Sequence, residues 1–265
     1  GRVEVAGEDR PDLPRPARRI VSLAPSVTEN LFAVGVGDRL VGATAACDFP
    51  TPARRLPRVG DFLRPSYERI AALRPDLVVV ASATLTSADA ARLAGRLRRP
   101  VFVQIPRRYD DVARHLEQLG ALAGRPQGAA APARALARRR DDVARRVAGK
   151  PPVAVFVEVN PTPLYAVGPG SFVDDVIRLA GGRNVVTSGG AFPVVSKEAL
   201  LAADPQVYVA MAYPGQPSPT FAPPLDRLRA VRDRRVATLP ADLLSRPTPR
   251  LADGLERLAD LLHPR

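Results

Sequence analysis

Apolar positions along the chain come in two patterns, short unbroken runs and stretches with helical spacing, and the two alternate. Residues 1–18 carry neither; they are proline-rich and charged and predict an extended lead-in. Arg19–Leu23 then reads as a buried strand. Ala24-Pro25-Ser26-Val27-Thr28-Glu29 turns the chain into a helix whose apolar face runs through Leu31, Phe32 and Val34. Ser26, three residues before Glu29, has capping-box spacing, in which side chains satisfy the first free N–H groups of a helix. Gly35 and Gly37 supply the stop, and Leu40–Ala45 the next strand.

One arrangement occurs twice. Residues 67–80, YERIAALRPDLVVV, match residues 197–210, KEALLAADPQVYVA. In both, a short helix meets a proline that cannot continue it, and a buried strand follows. Glu68 precedes Pro75, and Glu198 precedes Pro205, by the same interval, so the two copies hold a constant register. The match continues more weakly from Arg99-Pro100-Val101-Phe102-Val103 to Arg234-Arg235-Val236-Ala237-Thr238. Strands alternating with helices in each half predict an α/β fold of two similar lobes, each with a mainly parallel, helix-covered sheet. The expected division is a lead-in at 1–18, an N-terminal lobe at 19–109, a helical segment at 110–149 and a C-terminal lobe at 150–265. In the helical segment, Gly124–Pro132 reads as an interruption and Ala133–Ala148 as one stiff helix joining the lobes.

Composition narrows the function classes. No run approaches the roughly 20 apolar residues of a membrane-spanning helix, and residues 1–16 lack the apolar core of a signal peptide. A single cysteine, Cys47, excludes an internal disulfide or a cysteine-cluster metal site and reads as a small buried hydrophobe. The formal charge of +12 is almost wholly arginine, with Lys150 and Lys197 the two lysines. The arginines are spread along the chain without interleaved aromatics, apart from Arg138-Arg139-Arg140, and read as solvated surface rather than a nucleic-acid footprint. His115 and His263 have no metal-ligand spacing and are read as surface residues. Gly168-Pro169-Gly170-Ser171 reads as a helix-start turn, since it lacks the third glycine of a dinucleotide fingerprint. No nucleophile elbow occurs, so an enzyme is not expected.

The strings Ile20-Val21-Ser22-Leu23-Ala24-Pro25-Ser26-Val27-Thr28-Glu29, Cys47-Asp48-Phe49-Pro50, Glu68 to Val78, and Ser245-Arg246-Pro247-Thr248-Pro249-Arg250 together resemble the periplasmic vitamin B12-binding proteins. These form part of the helical-backbone class of binding proteins that serve ABC importers, whose members also carry siderophores and haem. The resemblance runs from about residue 18 to residue 262. It implies a ligand cleft between two α/β lobes joined by one long helix, and a monomer that delivers its ligand to a membrane permease dimer. It also implies an exported protein, periplasmic or at the cell surface, with lipid anchoring through a removed N-terminal segment left open. Glu68 and Glu198 match the acidic residues that dock onto permease arginines, and the repeat gives them a rationale as two equivalent carboxylates for a two-subunit partner.

Aromatic residues are few, with no tryptophan, so their placement is informative. Phe49, Phe62, Tyr165 and Phe192 lie beside prolines or glycines at the ends of predicted elements and match pocket aromatics of the family. Asp242 and Arg246 match its polar cleft groups, with a loop clamp between the two as the alternative, and Ser26 and Val27 are further pocket positions. Flat rings offer a corrin-like macrocycle a large apolar contact with few rotors to freeze. The expected cargo is a corrinoid, with no resident cofactor and no metal site. Haem is the next reading, with Tyr213 as its iron ligand in preference to Tyr67, Tyr109, Tyr165 or Tyr208. Ferric siderophores, a metal-insertion enzyme of the same architecture and a nucleic-acid binder complete the alternatives.

Overall fold

The computed structural model describes Val5–Ala6 and residues 13–61, 63–81 and 87–264. Contacts divide the chain into two units. Unit 1 comprises residues 1–106 and 110–135, and unit 2 comprises residues 107–109 and 136–265.

Unit 1 contains β1 (Val5–Ala6), β2 (Ile20–Ser22), α1 (Pro25–Ala33), β3 (Leu40–Ala43), α2 (Tyr67–Ala72), β4 (Leu77–Ala81), α3 (Ser87–Leu97), β5 (Val101–Gln104) and α4 (Asp111–Leu122). Its sheet has the order β1-β5-β4-β2-β3, and every pair is parallel. Strands of a parallel sheet are buried on both faces, so they read as unbroken apolar runs rather than alternations. Leu77-Val78-Val79-Val80-Ala81 is buried throughout, as is Val101-Phe102-Val103-Gln104. The extended lead-in contributes its own strand, with Val5 and Ala6 opposite Val101 and Phe102.

Helix α5 (Gln127–Val147) contains the boundary between the units, which falls after Ala135. It begins six residues earlier than the composition predicts and carries Pro132 inside it. Gly128 makes the earlier start possible, because a Cβ there would lie 2.1 Å from the Val34 carbonyl oxygen.

Unit 2 contains β6 (Val153–Pro161), β7 (Leu164–Ala166), α6 (Phe172–Leu179), β8 (Gly182–Asn184), α7 (Lys197–Ala203), β9 (Val207–Ala212), α8 (Arg229–Arg232), β10 (Val236–Pro240), α9 (Ala241–Ser245) and α10 (Leu251–Leu262). Its sheet runs β10-β9-β6-β7, with β8 also on β6; β7 is antiparallel and the rest parallel.

The repeat seen in the sequence is a repeat of structure. Ser66 and Ser196 cap α2 and α7, each accepting from the N–H three residues on, Arg69 at 3.3 Å and Ala199 at 3.1 Å. Arg74 and Asp204 both take positive φ, 46° and 36°, where the chain turns toward its proline. The Asp76 carboxylate accepts the Arg18 and Arg19 N–H groups as the chain enters β2, and the Gln206 side chain accepts the Ala154 N–H in β6. Ile20 lies opposite Leu77, and Val155 opposite Val207. Thus β2, β3, β4 and β5 of unit 1 correspond to β6, β8, β9 and β10 of unit 2.

Three expectations are corrected. The first helix has no capping box: Pro25 occupies its first turn, Ala24 is its N-cap without a side-chain bond, and Ser26 lies inside the helix. His115 is buried on the apolar face of α4, and its Nδ1 has no hydrogen-bond partner among the described residues. His263 is buried as well, its Nε2 lying 3.0 Å from the Gly181 carbonyl oxygen. Cys47 is fully buried, as read.

Candidate functional site

In open parallel sheets, loops that follow the carboxyl ends of the strands are where ligands meet the fold. Unit 1 builds such a loop after β3. Arg58 donates to the carbonyls of Thr44, Cys47 and Arg54 at 2.9–3.0 Å, and Arg54 donates to that of Asp48 at 3.0 Å. Four loop carbonyls are thereby tied down, and the Phe49 ring is left 44% exposed at the tip. A second loop turns on Asp61, whose carboxylate accepts the N–H groups of Leu63 and Arg64 at 2.8 and 2.6 Å. Phe62, predicted for the pocket, lies outside the described residues. Ser26 and Val27 stand at the start of α1, beyond the end of β2. Ser26 keeps a small accessible area, whereas Val27 is fully buried, so its side chain is a core contact and presents no surface to a ligand.

Unit 2 holds its rings where the backbone around β7 pairs with residues 191–195. The Ala166 N–H donates to Pro193 at 3.0 Å, the Gly168 N–H to Ala191 at 2.8 Å and the Val195 N–H to Leu164 at 2.9 Å. Gly168 is required for this approach, since a Cβ would sit 2.1 Å from the Gly190 carbonyl oxygen. The pairing bridges Tyr165 to Val194 and leaves Tyr165, Phe192 and Val194 exposed together. A second group follows β9 and β10. Arg246 pairs with Asp242 at 3.0 Å, and Arg250 approaches the other carboxylate oxygen at 3.8 Å. Tyr213 is 37% exposed, and its phenol is pushed up by burial and then by the negative charge of Asp242. Asp242 and Arg246 thus pair with each other, and both retain accessible area.

The remaining tyrosines are occupied elsewhere. Tyr109 is buried and donates to the Leu136 carbonyl at 3.2 Å. Tyr67 lies beneath the Arg96 guanidinium, 4.9 Å from its ring centre. Tyr208 is core, as read, but its hydroxyl donates to Glu158, a buried carboxylate that sequence reasoning passed over. Glu68 and Glu198 are both exposed and stand two residues after their serine caps. The Glu198 N–H and the Ser196 hydroxyl hold the Glu198 carboxyl below the usual range. In the arginine run, Arg139 binds Glu256 through two bonds and also pairs with Asp253, while Arg140 pairs with Asp141. Two of its three cations are thus committed to carboxylates of the chain itself.

Residues 20–243 match the family model for periplasmic binding proteins. The chain belongs to the periplasmic binding protein family. It is 30% identical over 250 residues to the vitamin B12-binding protein of Vibrio cholerae serotype O1, covering 94% of this chain and 90% of that one. It is 26% identical to an uncharacterized ABC transporter substrate-binding lipoprotein of Bacillus subtilis, covering 93% and 80%. The crystal structure of the Vibrio cholerae periplasmic vitamin B12-binding protein superposes with a TM-score of 0.82 at 30% identity, over 93% of this chain and 97% of that one. A periplasmic haem-binding protein of Pseudomonas aeruginosa gives 0.80 at 28% identity, over 94% and 93%. These likenesses bear out the two-lobed α/β class read from the sequence.

Proposed function

We propose that this protein captures a corrinoid and delivers it to the permease of an ABC importer. The observation that carries the reading is the placement of exposed rings at the carboxyl-terminal edges of both related sheets, Phe49 in unit 1 and Tyr165 and Phe192 in unit 2. Exposing large rings on braced backbone at these edges costs apolar burial that a merely structural role would have claimed. The Asp242–Arg246 pair supplies polar groups suited to the amide-fringed edge of a corrin. The named function of the Vibrio cholerae relative supports the same cargo.

Haem is the alternative cargo, with the 37% exposed Tyr213 as its iron ligand. Delivery is assigned to Glu68 and Glu198, equivalent and exposed carboxylates on the two units. Catalysis forms no part of the reading, and the site of action is the periplasm or the outer cell surface, where permease and cargo meet. The test is calorimetric titration of cobalamin into wild type and into Phe49→Ala and Phe192→Ala. Each variant is expected to bind roughly tenfold or more weakly, as loss of a buried ring contact costs. Unchanged affinity in both would overturn the site.

A further inference from the structure

The repeat supplies a control for every residue of unit 2, and one pair fails it. Glu158 corresponds to Leu23 and Tyr208 to Val78, because β6 aligns with β2 and β9 with β4. In unit 1 those positions lie in a closed apolar cluster with Val80, Leu93 and Val103. The fold therefore does not need a carboxylate or a phenol there. Unit 2 buries both, Glu158 at 7% and Tyr208 at 2% exposure, and joins them by a hydrogen bond from the phenol.

The cover over the pair differs as well. Between β4 and β5, unit 1 lays the helix α3, whose Ala90, Leu93 and Ala94 pack on the sheet. Between β9 and β10, unit 2 has a proline-rich segment with Pro214, Pro217, Pro219, Pro223 and Pro224. Proline lacks the donor a helix requires, so residues 213–224 carry no helix and cover the sheet through Phe221, whose ring meets Tyr208 edge-on at 4.9 Å, before the short helix α8 follows. Beneath this segment lies a cavity of about 310 Å³, walled by Glu158, Tyr208 and Thr238 below and by Pro217, Phe221 and Leu225 above. That volume is at the lower end of ordinary small-molecule pockets. Among the described residues, none of the rings or polar groups assigned to corrinoid binding lines it.

A buried carboxylate is costly unless a cation or several donors satisfy it. Among the described residues the Tyr208 hydroxyl is its hydrogen-bond donor, and no cation pairs with it, Lys197 at the cavity wall included. We infer that this cavity is a second binding site, specific for a small organic amine whose ammonium group meets Glu158 and whose apolar body lies under the proline-rich cover. Thr238 and Tyr208 also line the cavity and carry hydroxyl oxygens able to accept N–H donors, and Phe221 and Leu225 line it with apolar surface for a hydrocarbon of a few carbons. The ion pair would replace water at the carboxylate without altering the phenol bond. Burial also raises the carboxyl's affinity for a proton, and an ammonium supplies the countercharge that opposes this.

The probe is benzylammonium chloride, with butylammonium as a second cation and benzyl alcohol and benzamide as uncharged analogues, each titrated calorimetrically into the full chain. Both cations are expected to bind, and the uncharged analogues to bind at least tenfold more weakly. Glu158→Gln, which keeps shape and hydrogen bonding, is expected to weaken the cations by roughly ten- to a hundredfold, the value of a lost charge-assisted hydrogen bond. Circular dichroism confirms that this variant is folded. Tyr208→Phe is the second variant, expected to weaken binding less, since it leaves the charge in place. Absence of cation binding to wild type, equal binding of benzyl alcohol, or unchanged affinity in Glu158→Gln would each overturn the site.

Discussion

The two units share strand order, caps and turn conformations, yet they treat equivalent interior positions differently. Unit 1 fills the space between sheet and crossover with Leu23, Val78 and Leu93, whereas unit 2 leaves a cavity and faces it with Glu158 and Tyr208. The lesson is that the repeated backbone needs the strands, caps and prolines, and is indifferent to whether this one layer is dry. Polarity there is an addition to the fold, and it can be altered without dismantling the sheet.

The largest test of that contrast places the polar residue in the wrong unit. Leu23→Glu puts a carboxylate into the packed cluster of unit 1, where no cavity or phenol receives it, and is expected to cost about 4 kcal/mol or more in urea unfolding. A loss below about 1 kcal/mol would show that the two layers are equivalent after all.

Acid titration separates the units next. Burial lowers His115 to about 4, with the Asp111 charge opposing and the Arg114 charge adding to the effect. A folded value below the unfolded one, 6.5, means that the stability this residue contributes is present above pH 6.5 and is lost as pH falls toward 4. The loss amounts to about 3 kcal/mol at most. Glu158 acts in the opposite direction: burial raises its carboxyl, so lowering the pH through that raised value removes a penalty and adds stability. Thermal midpoints across pH 4–7 are expected to fall less steeply in His115→Gln than in wild type, and more steeply in Glu158→Gln.

Smaller effects follow. Glu158→Leu with Tyr208→Phe, which gives unit 2 the polarity of unit 1 while keeping the ring contacts to Phe156 and Phe221, is expected to stabilise by roughly 1–2 kcal/mol. Ser66→Ala and Ser196→Ala are each expected to cost about 1 kcal/mol, and near-equal losses would confirm that the two caps do the same work. Glu68→Ala with Glu198→Ala is expected to leave stability and cobalamin affinity unchanged and to abolish uptake by a reconstituted permease. Full uptake by that variant removes the docking role.

Much of this was legible in the residues. Unbroken runs such as Leu77–Ala81 announce strands buried on both faces, and the Pro75 and Pro205 echo announces the repeat. The capping box misled because proline suits a first turn, so Pro25 starts the helix one step before Ser26 could cap it. The start of α5 was hidden because Gly128 and Pro132 look like an interruption, while the close approach to Val34 that demands Gly128 is a tertiary fact. His115 could have been placed, since it shares one helical stripe with Val112, Leu116 and Leu119. Of the candidate pocket residues, the exposed rings Phe49, Tyr165 and Phe192 stood out by their places beside prolines or glycines at the ends of elements, but Val27 looked no different from its neighbours until its burial was seen. Glu158 closes an apolar run in β6, and the signal that it is special appears when the halves are aligned and Leu23 stands opposite it.

The central claim is that the ring-bearing edges of these two units serve a corrinoid. The direct measurement offers the purified protein cobalamin and haem in equal amounts, removes free ligand by desalting, and records the visible spectrum of what remains. Cobalamin retained near one equivalent, without haem, is the predicted result. Cobalamin washing through while haem stays with a tyrosinate-type spectrum would contradict the account.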